Sequence, residues 1–143
     1  MAYFKDSEEM YEIHQALFDR LATHAEIGPA LAASNLIVRF RVHDPDGIIT
    51  VKCLEKSEEK GKHISYVMGE SPLQPDLTFT CSSDFYHRFW HGKVNIVSAL
   101  LSQEAKAEGK ISQAMKLLPA LQPVYDLYPQ ILKEIGREDL IIE

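Results

Sequence analysis

Residues 36–43, LIVRFRVH, alternate strictly: Leu36, Val38, Phe40 and Val42 fall on one side, Ile37, Arg39, Arg41 and His43 on the other. A period of two belongs to extended chain, and here one side is apolar and the other largely polar. Such a strand needs a sheet with one face on a core and one face toward water. DPDG (44–47) provides a turn, with Pro45 and Gly47 in favourable places. Ile49, Val51 and Cys53 then mark the inner face of a second strand, Ile64, Tyr66 and Met68 a third, and Leu77, Phe79 and Cys81 a fourth. KSEEKGK (56–62) between them reads as a polar loop with solvated charges, Glu58-Glu59 included.

Helical spacing flanks this block. Asp6 and Glu9 stand at capping-box distance, with Ser7 as the alternative cap. Met10, Ile13, Leu17 and Leu21 follow as one apolar stripe, and His14 beside it reads as a boundary residue. Gly28-Pro29 closes one segment and starts a short second helix, PALAAS. Helices before and after a run of strands define an α+β fold, with the helices on the single apolar face of the sheet.

The chain has 143 residues, which suits one domain over 1–143 with a single core. It is 45% hydrophobic and 25% charged, with a formal net charge of −6. That charge argues against nucleic acid, whose phosphates need a basic surface, and against electrostatic docking on anionic lipid. No stretch approaches the ~20 apolar residues of a membrane span, so stable membrane insertion is not expected. MAYFKDSEEMYE has no basic start followed by an apolar run and does not read as a secretory signal. Cys53 and Cys81 match no metal spacing and fall on inward strand positions. They read as reduced core thiols in a cytoplasmic protein.

DFYHRFWHGKVN (84–95) is the densest chemistry in the chain. Ser82 or Ser83 can cap a helix here, Asp84 suits its positive end and Gly92 stops it. At helical spacing Phe85, Tyr86, Phe89 and Trp90 share one face, and Asp84, His87, Arg88 and His91 the other. With the aromatic face inward, the histidines are expected to point to water, beside an Asp84–Arg88 pair. A metal held by Asp84, His87 and His91 is disfavoured: two helical turns, ~10 Å, separate the ends of the set. Ser82, Ser83, Asp84 and His87 do not form a triad merely by being neighbours, and no G-x-S-x-G elbow is present. The glycines form no phosphate-binding loop.

NIVSALLSQ (95–103) is apolar nearly all round, with Asn95 as its cap. A short helix of that kind is buried or walls a cavity. EAKAEGK follows, where Ala105, Ala107 and Gly109 alternate with Lys106, Glu108 and Lys110 as in a fifth strand. Its inner face is tiny, so either a helix packs close there or the space holds a ligand.

The stretch from PDLTF (75–79) to AMKL (114–117) resembles the C-terminal half of the second-type sterol carrier protein domain, also called non-specific lipid-transfer protein. The matching features are Asp76 entering a strand, a short helix ending in Gly92-Lys93, the apolar helix over 95–102, a strand ending in Glu108-Gly109, and a last helix in SQAMKLL. HRFW-x-GKVN with a proline-punctuated tail looks like small stand-alone prokaryotic members. Gln103-Glu104, Ala105 and Ala107 depart from the family's usual Gly-Lys and bulky residues. The resemblance implies a five-stranded, mainly antiparallel sheet, helices covering one face and an apolar tunnel between them, with no cofactor and no catalysis. Phe85, Phe89, Trp90, Ile96, Val97, Leu100, Ala105, Ala107, Met115 and Leu118 are the residues it places at the ligand. Fatty acids, acyl-CoA, sterol-like molecules and phospholipids are the ligands it implies; an acyl-CoA would need basic groups at the mouth, for which Lys93 is a candidate, although plain solvation accounts for it better.

The tail from about 119 to 143 is a helical extension, which Pro119, Pro123 and Pro129 should divide into short pieces. Ile131, Leu132 and Ile135 give the last piece an apolar side, and Gly136 ends it. The tail either closes the tunnel or packs on the domain, and Leu140-Ile141-Ile142 is a subunit contact in a homodimer or a disordered end. Three functions are compatible: a non-enzymatic lipid binder; an accessory module with a vestigial cavity; and, weakest, a metal-dependent enzyme using His87 and His91.

Overall fold

A computed structural model describes residues 2–54 and 61–143. Most of the 56–62 loop, including Glu58-Glu59, lies outside the described residues. Helix α1 spans Ser7–Thr23, capped by Asp6, whose carboxylate accepts the Glu9 N–H at 2.9 Å. Glu9 reaches back one residue further than a strict capping box, to the Lys5 N–H. Met10, Ile13, Leu17 and Leu21 are all buried, as their spacing predicts. Helix α2 covers Ile27–Ala32, so Gly28 and Pro29 lie in its first turn rather than before it; Pro fits there because a first-turn N–H has no intrahelical partner.

Five strands follow the predicted order: β1 (Leu36–His43), β2 (Gly47–Cys53), β3 (Ser65–Met68), β4 (Leu77–Ser82) and β5 (Lys106–Gly109). They form one sheet in the order β3-β2-β1-β4-β5. Three pairings are antiparallel; β1 with β4 is parallel, in the register Val38–Leu77, Phe40–Phe79, Val42–Cys81. To make that pair, the chain must leave the β3 edge and return on the far side of β1. The crossing segment runs over the outer face of the sheet. Arg39, on the predicted polar face, is therefore buried: it donates to the Thr50 hydroxyl and to the carbonyls of Ser71 and Leu73. The outer face is polar as expected but not uniformly wet.

Asp76 secures the sheet where β4 begins. Its carboxylate accepts the Ile37 N–H at 2.8 Å and lies 3.4 Å from Lys110 Nζ. Its carbonyl accepts the Lys110 N–H at 2.8 Å. This approach dictates Gly109, because a Cβ there would sit 2.1 Å from the Asp76 carbonyl oxygen and φ is +111°.

Helix α3 (Ser83–Trp90) is capped by Ser82 Oγ and ends at Gly92, where the Gly92 and Lys93 N–H groups close back on Phe89 and Arg88. Helix α4 (Ile96–Ser102) is capped by Asn95, and α5 (Ile111–Met115) is a short turn and a half after β5. A 3₁₀ turn, Leu118–Leu121, leads into α6, Gln122–Glu134. The predicted division of the tail fails at Pro129, which sits inside this 13-residue helix. Burial of Val124, Tyr128, Ile131 and Leu132 outweighs the one backbone bond that proline removes. Ile135 ends up 41% exposed, and the chain turns at Gly136 (φ +78°). Leu140 is buried against the same chain, so the tail end packs intramolecularly where a subunit contact or disorder was expected.

Candidate ligand cavity

The inner faces of β1, β4 and β5 line up in rows: Phe40 beside Phe79 beside Ala107, and Val38 beside Leu77 beside Gly109. The rows step from bulky to small toward the β5 edge. Above that step lies a cavity of about 80 Å³. Its floor is Val38, Phe40, Leu77, Phe79 and Ala107; its walls come from Phe89, from Ile96 and Leu100 of α4, from Ile111, Ala114 and Met115 of α5, and from Leu117, Leu118 and Leu121. Every lining residue is apolar. The cavity contains no titratable group, donor or nucleophile among the described side chains, so its only chemistry is exclusion of water from apolar matter.

Of the residues singled out in the sequence, the structure brings Phe89, Ile96, Leu100, Ala107, Met115 and Leu118 to this cavity. It places Phe85, Trp90, Val97 and Ala105 outside it. Phe85 packs on Phe79 from one turn further back along α3. Trp90 is turned toward α1 and meets Phe18, with Phe40 and Phe89 standing between it and the cavity. Ala105 precedes β5, buried with its N–H on the Ala99 carbonyl. Val97 is 55% exposed on the outer side of α4. That helix is a cavity wall rather than a buried one: only Ala99 is buried, and Leu101 is 82% exposed. The sheet floor was missed, although the inward alternation of β1 and β4 was already legible; what was lacking was the pairing that sets β1 beside β4.

The histidines of α3 do not face water. His87 and His91 are buried, because α6 and residues 138–142 cover the face of α3 opposite the aromatics. His14 is fully buried as well, stacked on Tyr86 at 4.6 Å. The partners fix one consistent set of protons. His87 Nε2–H donates to the Leu140 carbonyl at 2.6 Å, so Nδ1 accepts the Tyr128 hydroxyl proton at 3.0 Å. The Tyr128 oxygen then accepts from His14 Nε2–H at 3.2 Å. His91 Nδ1–H donates to the His87 carbonyl, and its Nε2 accepts the Ile142 N–H at 3.2 Å. All three imidazoles are neutral in this arrangement. Burial, the largest cause, pushes His87 down to about 4 against its bond to Leu140, and holds His14 well below and His91 below the usual histidine range. Among the described residues no three His, Cys, Asp or Glu are grouped to hold a metal. The expected Asp84–Arg88 pair is replaced by longer-range contacts: Asp84 accepts the Tyr3 N–H and Arg88 meets Glu104. Burial also pushes the Cys53 and Cys81 thiols up to about 12, which leaves them protonated and unreactive.

No family model and no curated protein matches the chain. Solved structures do. A sterol carrier protein domain 2 from Helicoverpa armigera superposes with a TM-score of 0.59 at 19% identity, covering 85% of this chain and 91% of that one. A possible sterol carrier protein from Thermus thermophilus gives 0.59 at 13% identity, covering 92% and 90%. The ubiquinone synthesis protein UbiJ-SCP2 gives 0.59 at 12% identity, covering 87% and 95%. The chain therefore has the fold of second-type sterol carrier proteins. The same fold matches a part of a Pseudomonas sec-alkylsulfatase: TM-score 0.56, 14% identity, 73% of this chain but only 15% of the enzyme. No described helix is long and apolar enough to cross a membrane.

Proposed function

We propose that this protein binds a lipid or similar apolar molecule between its sheet and α4–α5, without catalysing a reaction, in the cytoplasm. The observation that carries this reading is the wholly apolar lining of the cavity, on a fold whose neighbours include proteins described as sterol carriers. The ligand class is a fatty acid, an acyl-CoA, a sterol-like molecule or a phospholipid acyl chain. Phe89, Ile96, Leu100, Ala107, Met115 and Leu118 contact it, with the sheet floor beneath. The tail from 119 on belongs to the same domain and contributes Leu121 at its root, next to Leu118.

About 80 Å³ is less than the ~300–1,000 Å³ of sites that enclose a whole ligand, so binding has to enlarge the space. The walls allow it. α5 has no buried residue and α4 has one, whereas the floor belongs to a hydrogen-bonded sheet. Outward movement of α4 and α5 therefore breaks little packing.

The same small volume favours a second reading, an accessory module whose cavity has closed; the occurrence of this fold as part of a larger enzyme accords with it. Native mass spectrometry of freshly purified protein separates the two. A lipid-sized adduct, or saturable displacement of a fluorescent fatty acid, is expected for the lipid binder. An adduct-free protein that also fails to bind a panel of fatty acids, sterols and phospholipids leaves the accessory module.

A further inference from the structure

We infer that the helical tail builds a polar mouth for this cavity, and that the ligand's head is an uncharged hydroxyl group rather than a carboxylate or a phosphate. This deepens the lipid-binding reading and rests on it. A second, open groove of about 430 Å³ lies against the cavity, between the start of α4 and the start of α6. Phe89, Ile96 and Leu118 line both spaces, so these three apolar side chains stand between them. Turning them joins a dry cavity to a space already within the ~300–1,000 Å³ of ligand sites. The inner part can take only an apolar chain, because a polar head there would lose its water without gaining a partner. The head therefore has to sit in the groove.

The groove's polar groups decide which head it takes. Asn95, Gln122 and Tyr125 supply them, and the rest of its lining is apolar. Asn95 Oδ1 accepts the Ser98 N–H at 3.0 Å, which leaves its NH₂ to donate. The Gln122 amide donates and accepts, as does the Tyr125 hydroxyl. Burial pushes the Tyr125 phenol above its usual range, so it keeps its proton. Its ring lies over the turn after α3: a Cβ on Gly92 would stand 2.7 Å from it, so glycine is what lets the ring settle there. No charged side chain lines the groove among the described residues. Lys93 lines the neighbouring groove with Arg88, and Asp126, next to Tyr125, is exposed. A carboxylate or phosphate would thus give up water and meet no cation, whereas a hydroxyl, both donor and acceptor, matches what is there. Gln122 and Tyr125 belong to the tail, so α6 is part of the site as well as a cover on the domain.

Competition against a fluorescent fatty acid, at a pH where myristate is ionised, tests the inference with probes of one chain length: monomyristoylglycerol, methyl myristate, myristate and myristoyl-CoA. Monomyristoylglycerol should bind the wild type roughly tenfold tighter than myristate or myristoyl-CoA. Tyr125→Phe with Gln122→Ala should weaken monomyristoylglycerol roughly tenfold, to the level of methyl myristate, whose own binding stays as it was. Gln122→Lys should bring a cation to the groove and tighten myristate roughly tenfold. Gln122 is exposed and Phe keeps the Tyr125 ring, so melting curves should not move; Tyr125→Phe alone serves if the double variant melts early. Folded wild type that takes myristate or myristoyl-CoA as tightly as monomyristoylglycerol overturns the inference, as does a double variant that binds every probe as the wild type does. Either result leaves the cavity a lipid site. Failure of every probe, with no lipid adduct in native mass spectrometry, instead sinks the lipid-binding reading beneath it.

Discussion

The two faces of α3 border regions built on opposite principles. On one side, Phe89 looks toward an apolar cavity walled by α4 and α5, whose residues are half-exposed and make no side-chain hydrogen bonds into the core. On the other side, His87 and His91 sit in a buried polar network tying α1, α3, α6 and the chain's last residues together, with both ring nitrogens of each partnered and only Nδ1 of His14 left over. A buried network is rigid because each member loses a partner if any one moves. An apolar wall has no such directionality and can shift while keeping its contacts. The molecule thus places its stiff, specific packing behind α3 and its deformable packing in front of it.

The largest contrast should come from deleting one side chain in each region. His87→Ala leaves the Tyr128 hydroxyl proton and the Leu140 carbonyl without their partner beside a new hole, and should cost about 3 kcal/mol in urea denaturation. Leu100→Ala, on the deformable wall, should cost about 1 kcal/mol, since that side chain is only partly buried and its site can collapse. Equal costs would break the comparison.

Acid should act on one region alone. His87 is neutral in the fold, with its imidazole at about 4, whereas in the unfolded chain it titrates near ~6.5. Between those pH values the unfolded chain takes up a proton that the fold refuses. Its contribution is therefore fully present above pH ~6.5 and is lost as pH falls toward 4, by about 3 kcal/mol for His87. His14 and His91 are lowered too and act in the same direction. Denaturation midpoints at stepped pH should be level on the alkaline side of neutrality and fall below it, with the tail amides of residues 138–142 exchanging first. A midpoint that stays level down to pH 4 would contradict the neutral network.

Two alanines two residues apart sharpen the boundary between tight and loose packing. Ala105→Phe meets a closed site under Ala99 and should cost ~1–3 kcal/mol. Ala107→Phe projects into the cavity, so melting should change less while binding of a fluorescent fatty acid falls, because the ring takes the ligand's space. If the two melt alike and bind alike, the cavity is not the ligand site. The smallest effect is expected at Leu101→Ser, within ~0.5 kcal/mol, since that side chain is already in water.

The sequence by itself determined the elements and most of their faces. The alternation in 36–43, the caps at Asp6, Ser82 and Asn95, the stop at Gly92 and the stripe Met10–Leu21 are local features, set by backbone geometry and hydrogen bonds a few residues long. The tertiary structure alone decided what covers each face. Arg39 went under cover because the β3–β4 connection crosses the outer face, a consequence of strand order that no local pattern encodes. Val97 and Leu101 stayed in water although their helix is apolar nearly all round, because β5 is the edge strand and α4 has the domain on one side only, as the cavity-wall alternative requires. His87 and His91 were correctly put opposite the aromatic face and wrongly in solvent. A helix's periodicity says which residues share a side; residues distant in the chain, Tyr3 and Phe4 before the helix and Tyr128, Leu140 and Ile142 after it, determine whether that side meets water or more protein.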